Sequence, residues 1–167
     1  VAYGAGTARA VARQALGEQR MNVGARLWRR FSAYTEIARP FSFTASVTPV
    51  AAGGAMAALN GAFNAPLFLA SVLGSVTLHI GTNVINEIFD VRKGVDSITS
   101  PRASHALVKG RLSEREAFAL AFAAFAVATL VGVGLAAVRG WPIVGLGLLG
   151  LIGGYTYTAP PFEYKFH

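Results

Sequence analysis

Two long runs without charge limit what this chain can become. Residues 41–59 contain no Asp, Glu, Lys or Arg, and neither do residues 117–138. An α-helix satisfies its own backbone polar groups, so such runs can cross lipid as helices. About 20 residues are enough for a hydrocarbon core of roughly 30 Å. Of the 167 residues only 14% are charged, against about 25% in ordinary soluble domains. Two further stretches read as spans. Residues 66–89 are apolar early and polar late. Residues 141–158 open with Trp141 and stop at Pro160-Pro161. The expected fold is therefore all-α and membrane-embedded. Four transmembrane helices lie at about 41–59, 66–89, 117–138 and 141–158, within a larger helical bundle, and Pro49 is expected to kink the first.

Residues 1–22 are rich in Ala, Gly, Arg and Gln without an apolar period, and read as a basic N-terminal arm. Residues 23–39 behave differently. Val23, Leu27, Phe31, Tyr34 and Ile37 recur every three or four positions and make one helical face, with Arg26, Arg29 and Arg30 off it and Trp28 at its margin. A basic amphipathic helix with aromatics suits the membrane interface.

Charge orients the bundle. Seven Lys/Arg precede the first span and six lie between the second and third, while residues 60–65 carry none and the third-to-fourth connection only Arg139. Four crossings put both basic segments on one side, cytoplasmic by the positive-inside rule. Lys165 falls on that side too. The expectation is a multi-pass protein of the cell (inner) membrane with its active site facing the cytoplasm. The formal charge of +7 suits anionic lipid or an anionic substrate. Nucleic acid is not expected, because the basic residues sit between apolar spans. With no cysteine, thiolate metal sites are excluded. Seven glycines in the last two spans read as helix packing, since no strand precedes them to make a nucleotide loop.

The second span carries the chemistry. His79, Asn83, Asn86, Glu87 and Asp90 follow a helical stripe. An acidic residue at mid-bilayer costs about 2.5–3.5 kcal/mol on insertion scales, so the stripe must face a bundle interior or a wet cavity. Gly94 permits a helix exit with positive φ, and a turn there can bring Asp96 beside Asp90. Asn86, Glu87, Asp90 and Asp96 are the candidate metal ligands. Hard oxygens of this kind, shared with substrate phosphates, suit Mg²⁺. The absence of several His or Cys disfavours zinc or copper. Arg92, Lys93, Arg102, His105, Lys109 and Arg111 follow closely and are candidates to hold a diphosphate.

The stretch Asn86-Glu87-Ile88-Phe89-Asp90-Val91-Arg92-Lys93-Gly94-Val95-Asp96 resembles the first aspartate-rich motif of the UbiA superfamily of intramembrane aromatic prenyltransferases. Its Lys-Gly-Val-Asp ending is similar to the branch acting on 1,4-dihydroxy-2-naphthoate. Ala38-Arg39-Pro40-Phe41 resembles the entry to the family's first span. Ser100-Pro101-Arg102-Ala103-Ser104 and Val108-Lys109-Gly110-Arg111-Leu112-Ser113 resemble the loop after the motif. Gly154-Tyr155-Thr156-Tyr157-Thr158-Ala159-Pro160-Pro161-Phe162 resembles the end of the fourth helix. Glu87 stands where the family usually has Asp, and His105 where members commonly have Arg. The family's nine helices and second aspartate-rich motif imply that residues 40–167 are an N-terminal half-domain.

The resemblance implies Mg²⁺-dependent transfer of a polyprenyl group from its diphosphate to an aromatic acceptor. Asp90 would be central to it, and Tyr155 and Tyr157 are candidates to stabilise an allylic cation or steer the acceptor. A naphthoate quinone precursor is the first expectation; 4-hydroxybenzoate, homogentisate or a chlorophyllide are alternatives. Partners would be the polyprenyl diphosphate, the acceptor, membrane lipids and neighbouring subunits of a membrane complex. From other classes come a non-catalytic half-fold subunit of a larger complex, and a cation or proton path along His79, Asn83, Asn86 and Asp90.

Overall fold

In a computed structural model of the chain, residues 23–95 and 105–166 are described, and among them every regular element is helical. The elements are α1 (Val23–Ala38), α2 (Thr44–Leu59), α3 (Ala65–Arg92), α4 (His105–Val108), α5 (Glu114–Arg139) and α6 (Pro142–Thr156), with short 3₁₀ turns at Pro40–Ser42 and Tyr164–Phe166. The expected arm at 1–22 lies outside the described residues, as do Asp96 and Arg102.

Local chemistry sets the ends. Asn64 Oδ1 accepts from the Leu67 amide and caps α3, with Pro66 in the first turn. Ser113 and Glu116 form a reciprocal capping box at the start of α5. At the other end of α3, Gly94 takes φ 69°. Its amide donates to the Val91 carbonyl (3.1 Å) and the Val95 amide to the Asp90 carbonyl (2.9 Å), the paired bonds of a Schellman exit. The chain thus leaves α3 by a left-handed turn at Gly94, where the sequence places it.

Two helices, α3 and α5, are long and apolar enough to cross a membrane. The segment through Ser42 and α2 form a pair bent by 53°, which would make a third span if taken together. At 1.5 Å per residue, α2 with 16 residues and α6 with 15 reach only about 24 and 22 Å, short of the roughly 30 Å core. The apolar runs in the sequence were longer because their ends are not helix. Residues 40–42 form a 3₁₀ turn behind Arg39, whose φ of 56° is left-handed, and 157–162 are turns and bends. The bend falls at Phe43; α2 runs on through Pro49.

The core lies at one end of the bundle. Ala33 and Ile37 of α1, Val84, Ile85 and Ile88 of α3, Ala106 of α4, and Ala117 and Ala121 of α5 are buried together with Ala159. Away from it the helices bare apolar side chains, among them Leu59, Leu130 and Leu149. A water-facing surface would not tolerate so large a patch, whereas lipid or further helices would. Along α3, the helix α6 seats through glycine. A Cβ on Gly150 would lie 2.9 Å from Leu78 Cδ2, and one on Gly154 would collide with Thr82 Oγ1. The i, i+4 pairs on both helices match. Gly132, Gly134, Gly145, Gly147 and Gly153 meet nothing within 4 Å, so the expected packing role holds for two of the seven.

Candidate active site

The polar stripe on α3 divides in two. Its first half joins helices. His79 Nε2 lies 2.9 Å from Ser42 Oγ and His79 Nδ1 lies 2.5 Å from Ser46 Oγ. Asn83 Nδ2 donates to the Ala38 carbonyl (2.9 Å) and to Ser42 Oγ (3.0 Å). These bonds tie the Ala38-Arg39-Pro40-Phe41 turn to α3 and give its open carbonyl a partner. Ser42 and Ser46, one helical turn apart, are the partners that sequence reasoning missed.

The second half makes a cation site. Asn86 Oδ1, Asp90 Oδ1 and Asp90 Oδ2 lie 3.0, 2.7 and 2.6 Å from Lys165 Nζ. Asp90 is buried at 3% exposure, so its charge is compensated by the ammonium rather than by water. Lys165 was expected only as a marker of sidedness. The turn after α6 returns it to α3, held by the Lys93–Glu163 ion pair, by Tyr164 Oη donating to the Gly153 carbonyl (3.0 Å) and by the Lys165 amide donating to the Tyr157 carbonyl (2.9 Å). Nothing local in the sequence signals this contact.

The aromatic pair separates. Tyr157 stands at the site, with Lys165 Nζ 5.9 Å from its ring centroid and the Tyr164 ring 5.2 Å away edge-on. Tyr155, two residues and about 200° away around α6, packs against the core. Glu87 is also off the Asn86–Asp90 line and is fully buried.

The basic residues divide by location. Lys93 pairs with Glu163 near Lys165. Arg92 points the other way, pairing with Glu114 and lying 5.2 Å from the rings of Phe89 and Phe118. Arg111 pairs with Glu36 of α1, whose other oxygen accepts from the His105 amide (2.8 Å). Lys109 is exposed. Together with Arg30–Glu116 at 3.3 Å, the Glu36 clamp fastens α1 to the segment leading into α5.

Below Asn86 a groove of about 240 Å³ follows the same face of α3, lined by Ser46, Ser75, Leu78, His79, Thr82, Asn83 and Gly150. A larger apolar cleft of about 370 Å³ lies among α3, α5 and α6 and has no ionisable lining residue. Among the described residues no three His, Cys, Asp or Glu side chains gather. Still, the donor set fits a hard cation: three oxygens from two side chains converge on one positive group, with no sulfur nearby.

The sequence matches the UbiA prenyltransferase family over residues 46–167. It is 32% identical over 143 residues to a 1,4-dihydroxy-2-naphthoate octaprenyltransferase of Bacillus subtilis, covering 86% of this chain and 44% of the relative. To UbiA prenyltransferase domain-containing protein 1 of Gallus gallus it is 32% identical over 136 residues, 78% of this chain and 40% of the relative. To a 2-carboxy-1,4-naphthoquinone phytyltransferase of Synechocystis it is 28% identical over 128 residues, 75% and 40%. The chain spans less than half the length of these curated relatives. No solved structure matches.

Proposed function

The chain belongs to the UbiA prenyltransferase family, and from that premise we propose that, with the remainder of its reading frame, it transfers a polyprenyl group from a diphosphate to an aromatic acceptor. A 1,4-dihydroxy-2-naphthoate-type quinone precursor is the acceptor we favour, because relatives named for naphthoate and naphthoquinone substrates align over most of the chain. The observation that carries the reading is the convergence of Asn86 and Asp90 oxygens on one cation at the polar end of an otherwise apolar helix.

In this reading Asn86 and Asp90 would hold Mg²⁺, with Asp96 a further candidate ligand from the motif, and Glu87 would support them from the buried side. Bound there, Mg²⁺ would neutralise the diphosphate as a leaving group. Lys93 and Lys165 add positive charge on the same side, with Arg102, His105, Lys109 and Arg111 contributed by the following segment. The prenyl C1–O bond breaks and its electron pair leaves with the diphosphate. Tyr157 then faces the developing cation with its ring. An electron-rich acceptor carbon forms the new C–C bond, and the ring regains aromaticity as that carbon's carboxylate leaves as CO2, or its hydrogen as a proton, with the bonding pair returning to the ring. Apolar side chains of the surrounding bundle would have to keep water from the cation. Tyr155 acts at one remove, by fixing α6 against the core.

For the membrane arrangement we propose α1 in the interface, its exposed Leu27, Trp28 and Phe31 in lipid. The helices α2 and α6, with their flanking turns, complete four crossings. Positive-inside bias then puts Asp90 on the cytoplasmic side. The test is direct: membranes containing the complete reading frame, labelled prenyl diphosphate, Mg²⁺ and dihydroxynaphthoate should yield prenylated product. Absence of product with every aromatic acceptor tried would instead favour the half-fold subunit.

A further inference from the structure

The Lys165 ammonium stands where a divalent cation would have to bind. Its Nζ takes all three side-chain oxygens that Asn86 and Asp90 offer, at 2.6–3.0 Å. Two positive charges cannot share that position, because the carboxylate is nearly closed to solvent and the repulsion would be poorly screened. The arm that delivers Lys165 is built for the purpose. Glu163 is anchored on Lys93 of α3 itself, Tyr164 on the α6 backbone, and the side chain passes over the Tyr157 ring. That ring lies 5.9 Å from Nζ and adds a weak attraction to the same engaged position.

Resting on the metal-site reading above, we propose that Lys165 is an intramolecular competitor for the metal. It neutralises Asp90 before substrate arrives and must leave before the cation can enter. The metal alone then binds weakly. An anion that draws the ammonium away frees the carboxylate, so the metal binds well only when it arrives with its diphosphate. If the engaged state holds about nine molecules in ten, apparent metal affinity is about tenfold below the intrinsic value.

The experiment uses the complete reading frame purified in detergent, with Mn²⁺ as the probe and no prenyl substrate, read by electron paramagnetic resonance. Lys165→Met should bind Mn²⁺ about tenfold more tightly than wild type, and Lys165→Arg, which keeps the charge, should stay near wild type. Asp90→Asn should lose the site. In parallel, acylation of Lys165 in the wild type, followed by mass spectrometry, should accelerate when Mn²⁺ saturates the protein. If Lys165→Met binds no more tightly while Asp90→Asn loses binding, the competitor is wrong and the metal site stands. If Asp90→Asn binds like wild type, both fail. Should Lys165→Met not fold, the acylation rate decides alone: no change on saturation overturns the proposal.

Discussion

Lys165 Nζ lies 2.6 and 2.7 Å from the two carboxylate oxygens of Asp90, across 75 residues of chain. The contact joins the exit of α6 to the polar end of α3, so the site is shared between two distant parts of the sequence. Asp90 brings both its carboxylate oxygens to that cation, and the expectation for Asp90→Asn follows. The amide keeps the shape but removes the charge, and prenyl transfer should fall by roughly 10²–10³-fold, the scale of losing one preorganised electrostatic group. Turnover by membranes carrying the variant checks it; undiminished activity would refute the mechanism.

Chelation makes a second expectation. Oxygen ligands of this sort hold Mg²⁺ through few protein contacts, so EDTA should abolish transfer and added Mg²⁺ should restore it. Zn²⁺ should restore it poorly, because no imidazole or thiolate faces Asp90 among the described residues. Product formed at an unchanged rate in excess EDTA would remove Mg²⁺ from the scheme.

Glu36 gives a prediction about a side chain that touches no proposed substrate. Its carboxylate binds the Arg111 guanidinium and the His105 amide at once, and both partners belong to the segment expected to contact the diphosphate. The pair is about one-third exposed, so Glu36→Gln should cost only about 1 kcal/mol of stability after solvent screening. Its effect should be local: faster amide hydrogen exchange at residues 105–112 and a raised KM for prenyl diphosphate with kcat little changed. Unchanged exchange there would show that the clamp does not order the segment.

What could be read beforehand, and what could not, follows from the range of the forces involved. The helical period of α1, the polar end of α3 and the left-handed exit at Gly94 are written in nearest neighbours, and the sequence states them. Helix length at the membrane is different. The run at 41–59 reads as one continuous helix, but Arg39 and Pro40 divert its first residues into a 3₁₀ turn, and hydropathy does not sense a turn. The stripe from His79 to Asp90 was visible as a stripe. That His79 and Asn83 hold the turn while Asn86 and Asp90 meet Lys165 depends on Ser42, Ser46 and Lys165, which only folding brings near.

The seating of α6 on α3 can be tested with one carbon atom. A Cβ on Gly154 would run into Thr82 Oγ1, while Thr82 Cβ lies at an ordinary 3.5 Å. Overpacking of this kind costs about 1–3 kcal/mol, so Gly154→Ala should lower the unfolding midpoint in detergent. It should also loosen the α6 exit, from which Tyr157 and Lys165 reach the site, and so slow transfer. Thr82→Ala removes the obstructing oxygen and gives up only its bond to the Leu78 carbonyl within α3 (3.0 Å), so by itself it should be nearly neutral. Combined, the two substitutions should recover most of the lost stability, a coupling of the size expected for residues in direct contact. If Gly154→Ala unfolds at the wild-type midpoint, or the double variant gains nothing over it, α6 does not approach α3 at this position and the route from α6 to Asp90 must be redrawn.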